Sequence, residues 1–168
     1  MDKRTVANEV LLEEAAALML EGRDVTFTPL GSSMLPFIRG GKDAVRLHKM
    51  ADVNVGDMLL VRLDGRYVLH RCIRKDGNRL TLMGDGNLVG TESCTTDDVL
   101  GTVVGIIRNG KEHKPGDGRL WRGPLKPFRR YILAIYRRLP FENQRRIHPA
   151  LHLRRVHCGR RRPGPGKL

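Results

Sequence analysis

The spacing of apolar residues changes twice along the chain. Across residues 6–21 it is helical: Leu11, Leu12, Ala15, Leu18 and Met19 share one face, and Glu9, Glu13, Glu14 and Glu21 fall on the other. That pattern predicts an amphipathic helix whose apolar face needs a partner, with Gly22 as its C′ stop. From Val25 the period shortens to that of strands. Val25-Thr26-Phe27-Thr28-Pro29 reads as an opening strand, followed by the turn Gly31-Ser32-Ser33-Met34-Leu35-Pro36 and a second turn at Arg39–Lys42. Ala44–His48, Met58–Leu63, Tyr67–Ile73, Arg79–Met83 and Leu100–Arg108 then read as a meander, with Asp64-Gly65 and Asp76-Gly77-Asn78 as turns. Helical spacing returns in Phe128, Tyr131, Ile132, Ile135 and Leu139, flanked by Arg129, Arg130, Arg137 and Arg138 and stopped by Pro140.

These elements predict a mainly β protein: a small barrel-type domain with an N-terminal helix and a basic C-terminal helical tail. The boundaries they suggest are a helix over 1–24, a β domain over 25–110, and a linker plus tail over 111–168, the linker being Lys114–Gly118. The Arg- and Pro-Gly-rich end, 159–168, lacks the apolar residues that packing requires.

Charge sharpens that division. The net charge is +13, but residues 1–118 carry 16 Lys/Arg against 17 Asp/Glu. Residues 119–168 carry 15 Lys/Arg and one acid, Glu142. The reading is a neutral domain with a basic tail. Three scattered cysteines, Cys72, Cys94 and Cys158, form no disulfide framework and fit a reducing compartment. The N-terminus does not read as a signal peptide and no run reaches bilayer-spanning length, so the expected location is cytoplasmic.

The candidate chemistry lies in the β domain. Ser33 sits in a glycine- and proline-bounded turn, and a serine hydroxyl becomes a competent nucleophile when a base takes its proton. His70, on a strand face shared with Val68 and Cys72, is the candidate base; an ordinary histidine titrates near neutrality. The Ser32 hydroxyl and backbone N–H groups around Ser33 are candidate oxyanion donors. Read blandly, Ser33 is a turn serine and His70 a hydrogen-bonded sheet histidine. Lys75 beside its turn reads as a solvated lysine rather than a base. His148, His152, His157 and Cys158 give no compact metal-ligand set, and no phosphate-binding or dinucleotide motif occurs. No cofactor is expected.

Four short boxes occur in order: Gly31-Ser32-Ser33-Met34-Leu35-Pro36, Gly56-Asp57-Met58-Leu59-Leu60-Val61, Leu69-His70-Arg71 and Gly84-Asp85-Gly86-Asn87. Together they resemble the signal peptidase I and LexA-like serine peptidases, and most closely the signal peptidases that use histidine as base. The resemblance covers roughly residues 25–108. It implies a mostly β peptidase fold, Ser33 as nucleophile, His70 as general base, and a substrate bound as an added strand beside the Ser33 segment. Signal peptidases of this type carry a membrane anchor, and no run in this sequence reads as one. Their further acidic residue aligns with Gly90 or Thr91, which leaves the third member open: Asp85 or the neighbouring Glu92 orienting His70, or a Ser33-His70 dyad without one. Asp85 reads equally well as a turn residue.

The expected function is therefore a serine endopeptidase acting on an extended peptide or protein. The competing reading is a catalytically silent β module that binds peptides and is tethered by its tail. The stripe over 125–139 suits peripheral contact with an anionic membrane, a helix packed on the β domain, or, less readily, nucleic-acid phosphate.

Overall fold

A computed structural model describes residues 13–138. Residues 13–20 form α1, which ends as its sequence predicts. Gly22 takes the left-handed conformation (φ 75°), and Gly22 N–H and Arg23 N–H donate to the carbonyls of Met19 and Leu18, closing a Schellman cap. Ala15 and Met19 are buried, and Met19 Sδ lies where a Cβ on Gly101 would sit. The apolar face of α1 thus finds its partner on the sheet.

The strands are β1 (Val25–Phe27), β2 (Ala44–His48), β3 (Met58–Leu63), β4 (Arg66–Asp76), β5 (Arg79–Met83), β6 (Glu92–Thr95), β7 (Val99–Arg108) and β8 (Lys111–His113). They form one antiparallel sheet in the order β1-β2-β7-β3-β4-β5-β6, with β8 added to β7, curled into a half-barrel. The β3–β4 hairpin turns on Asp64-Gly65, both at positive φ, with Leu63 facing Arg66. Asn109-Gly110 does the same between β7 and β8.

The two faces of the sheet carry two cores. One joins Met19, Met34, Ile38, Val45, Leu47, Met58, Leu60, Val103 and Ile106. The other joins Val53, Leu59, Val61, Cys72, Leu80, Leu82, Cys94 and Val99. Cys72 and Cys94 are free thiols inside the second core; burial pushes the Cys94 thiol up to about 11, which leaves it protonated and inert.

The boundary expected at residue 111 is not a boundary in the fold. β8 extends the sheet, and Gly116 of the expected linker gives its carbonyl to Arg71 (2.6 Å). α2 (Arg119–Arg122) and α3 (Arg129–Arg138), joined through a 3-10 turn at Lys126–Phe128, pack back on the domain. Trp121 and Leu133 are buried with Leu35, and Phe37, Ile132 and Tyr136 complete this third core. Apolar side chains buried this way each contribute about 1.5–3 kcal/mol, so residues 119–138 are part of the folded unit. Pro140, Glu142 and the His148–Cys158 residues lie outside the described residues. Among the described residues no helix is long and apolar enough to cross a membrane.

Candidate functional site

Ser33 occupies a loop between β1 and β2 that closes on itself. Gly41 N–H donates to Pro29 O (2.8 Å), and a Cβ on Gly40 would stand 1.9 Å from Gly31 O, so the two ends of the loop cross where only glycine fits. Met34, Leu35 and Ile38 anchor the loop in the cores, and the Leu35–Pro36 peptide is cis. Asp43 clips its exit. This buried carboxylate accepts from Arg39 Nη2 (2.8 Å) and Arg108 Nη2 (2.7 Å), while Arg108 Nη2 also donates to Phe37 O (2.9 Å). Burial alone raises a carboxyl's pKa, but the hydrogen bonds from Arg108 and Arg39 outweigh it and hold Asp43 at about 2.

The Gly84-Asp85-Gly86-Asn87 turn lies against this loop. Gly86 N–H donates to Ser33 O (2.7 Å). A Cβ on Gly84 would be 2.5 Å from Ser33 O, and one on Gly86 would be 2.5 Å from Ser32 O. Both glycines are there because backbone meets backbone. Ser32 is exposed and Ser33 half-buried. Neither the Ser33 N–H nor the Ser32 hydroxyl is engaged among the described residues, which leaves both expected oxyanion donors open.

His70 is buried on β4, and its Nδ1 is paired with Glu92 Oε2 at 2.5 Å. Glu92 opens β6 and is itself about two-fifths exposed. A carboxylate accepts only, so Nδ1 carries the hydrogen, and in the neutral ring Nε2 then has the lone pair. Among the described residues no hydrogen bond joins Ser33 to His70.

Asp85 does not orient His70. Neighbouring residues on a strand point to opposite faces, and Asp85 lies on the face of Arg71. Arg71 is wholly buried and donates through Nε and Nη2 to Asp85 (2.9 and 2.6 Å) and through Nη1 to Gly56 O (2.7 Å) and Gly116 O (2.6 Å). Its guanidinium stacks on Phe37 with the carbon 5.1 Å from the ring centre. A Cβ on Gly118 would meet it at 2.8 Å. One buried cation thus joins the Ser33 loop, the Gly56 box, the Asp85 turn and the segment leading to α2.

Sequence reasoning missed the part played by the helical tail. Trp121 Nε1 donates to Asp85 O (2.9 Å), Arg129 Nη2 to Asn87 O (2.6 Å) and Asp85 O (3.1 Å), and Arg137 Nη2 to Gly86 O (2.9 Å). Arg129 is buried, and desolvation lowers its pKa. Arginines on α3 therefore hold the carbonyls of the turn whose amide holds Ser33. Trp121, an apolar aromatic inside a basic stretch, was the available signal. Lys75 is exposed and gives its ammonium to Val53 O (2.8 Å). No protein-family model and no curated protein matches the chain.

Proposed function

We propose that the protein is a serine endopeptidase of the kind its four boxes resemble, with Ser33 as nucleophile, His70 as general base and Glu92 as the residue orienting His70. The observation that carries the reading is the His70–Glu92 pair, in which a carboxylate accepts from Nδ1 as an orienting acid does and so turns Nε2 to the role of base. In the reaction Ser33 Oγ forms a bond to the scissile carbonyl carbon as its proton passes to His70 Nε2. The carbonyl oxygen, now negative, is met by the Ser33 N–H and the Ser32 hydroxyl. His70 returns the proton to the leaving amine as the peptide C–N bond breaks. Water, deprotonated by the same Nε2, then hydrolyses the Ser33 ester and restores both groups.

The test is a peptide library digested by the full chain and read by mass spectrometry for new termini. The expected result is a set of termini made by wild type and lost in both Ser33→Ala and His70→Ala. Termini that survive in both variants refute the proposed chemistry. The missing Ser33–His70 hydrogen bond favours one second reading, a silent module that captures extended peptides. Retention of library peptides by wild type without any cleavage selects that reading.

A further inference from the structure

α3 buries one face and exposes a second apolar one. Arg129, Leu133, Ile132 and Tyr136 turn toward the domain. Phe128, Tyr131 and Ile135, at spacings of three and four, stay 57%, 54% and 61% exposed. Three large apolar side chains in a row are not the scattered singles that any surface carries. Their surroundings are basic: Lys126, Arg130 and Arg138 are exposed around the stripe, and residues 118–138 contain no acid. The Arg130 guanidinium stacks on Tyr131, its carbon 4.5 Å from the ring centre.

From this surface we infer that the protein docks on a bilayer containing anionic phospholipid, with Phe128, Tyr131 and Ile135 entering the headgroup boundary and Lys126, Arg130 and Arg138 facing lipid phosphate. Apolar penetration and cationic attraction are the two components of interfacial helix binding, and both occur on α3 and the 3-10 turn that leads into it. Nucleic acid would use the cations but gives no role to an exposed Phe-Tyr-Ile stripe. A second copy of the chain would bring cations against cations. Because Arg129 and Arg137 tie α3 to residues 85–87, docking also fixes the orientation of the Ser33 loop to the membrane. The inference does not depend on Ser33 being a nucleophile.

The experiment is co-sedimentation of the full chain with phosphatidylcholine vesicles, with and without phosphatidylglycerol. Binding is expected only with the anionic lipid. The triple variant Phe128→Ser, Tyr131→Ser, Ile135→Ser should lose roughly tenfold or more in affinity. It should keep the wild-type circular dichroism and melting point, since all three side chains are exposed. Arg130→Gln with Arg138→Gln should weaken binding and flatten its salt dependence. Wild type that stays in the supernatant overturns the inference. So does a triple variant that sediments like wild type, or a chain that binds a duplex oligonucleotide in preference to vesicles. Phe128→Trp tests occupancy of the face: its emission, after subtraction of the wild-type Trp121 signal, should shift blue only on adding anionic vesicles. An emission already blue-shifted and protected from acrylamide in buffer means that the chain itself or a second copy covers the stripe, and overturns the inference too.

Discussion

The two carboxylates that follow the β4 strand should give opposite signatures when neutralised. Asp85→Asn removes the charge that faces a wholly buried Arg71. Breaking a buried ion pair from one side costs about 3–5 kcal/mol, because the remaining charge is uncompensated. Arg71 keeps two carbonyl acceptors, on Gly56 and Gly116, so the low end, about 3 kcal/mol, is the expected loss. Against a domain stability of about 5–15 kcal/mol and a urea dependence of about 2 kcal/mol per molar, the midpoint should fall by roughly 1.5 M. Glu92→Gln touches a partly exposed pair and should move stability by less than about 1 kcal/mol. Its effect belongs to turnover: without a carboxylate on Nδ1 the histidine loses its fixed tautomer, and kcat should fall roughly 10²-fold or more. Urea titration by circular dichroism, run beside cleavage of a library-derived peptide, measures both. A loss below about 1 kcal/mol in Asp85→Asn would refute the account of Arg71 as a buried hub. Undiminished turnover in Glu92→Gln would remove Glu92 from the proposed chemistry.

Gly86→Ala should cost about 1–3 kcal/mol, since its Cβ would stand 2.5 Å from Ser32 O; activity should fall further than stability, as the displaced atoms belong to the Ser33 loop. Asp43, held at about 2 against an ordinary 3.8, should contribute about 2 kcal/mol of stability. A depressed carboxyl contributes fully above its unfolded pKa and loses that contribution as pH falls through its folded one, so urea midpoints should drop between about pH 4 and pH 2, and Asp43→Asn should remove that part of the acid dependence. Trp121→Ala should cost about 3–5 kcal/mol, read as a lowered melting point, because it empties the third core and takes a donor from Asp85 O. A chain ended at Gly118 should be destabilised at least as much, which is why membrane binding is tested on the full chain.

Much of the sheet was legible because alternation and turn chemistry agree. Ala44–His48, Met58–Leu63 and Arg79–Met83 are strands over the residues their patterns span, and Asp64-Gly65 sets the register of the β3–β4 hairpin. β8 was missed although Asn109-Gly110 is a strong hairpin signal; Lys111-Glu112-His113 has no apolar residue to mark it as a strand, and it is held by pairing with β7 and by Arg46 of β2, which donates to Glu112 (2.6 Å). β6 escaped for a similar reason, its Glu-Ser-Cys-Thr offering one buried residue, Cys94, on an edge of the sheet. Of the readings open for the tail, residues 119–138 show the helix packed on the β domain; what charge along the sequence did not reveal is that some of its arginines face main chain rather than solvent. A guanidinium has five donors, and Arg129 and Arg137 each turn Nη2 to main-chain carbonyls of the Asp85 turn. A run of arginines can be a clamp as readily as a solvated edge.

The candidate site turned on which acid serves His70, and spacing alone left Asp85 and Glu92 open. Strand geometry decides it. In Leu69-His70-Arg71 the last two side chains leave the strand on opposite faces, so no single carboxylate close to β4 can serve both. An arginine in the middle of a sheet, between residues that bury, needs an acid of its own, since an unpaired buried cation is far costlier than an unpaired histidine, which can stay neutral. Between Gly84 and Glu92 the chain supplies two acids for these two bases. Asp85 sits between two glycines in a turn that packs on the Ser33 loop, on the side of Phe37, where Arg71 is. Glu92 stands at the start of β6, opposite Leu82 near the end of β5; β5 pairs with β4 from Arg71 onward, so the Glu92 side chain reaches across to the imidazole just past that pairing. Arg71 thus takes Asp85, and Glu92 is the acid left for His70. One braces the loop that carries Ser33, and the other leaves His70 Nε2 as the nitrogen free to accept a proton.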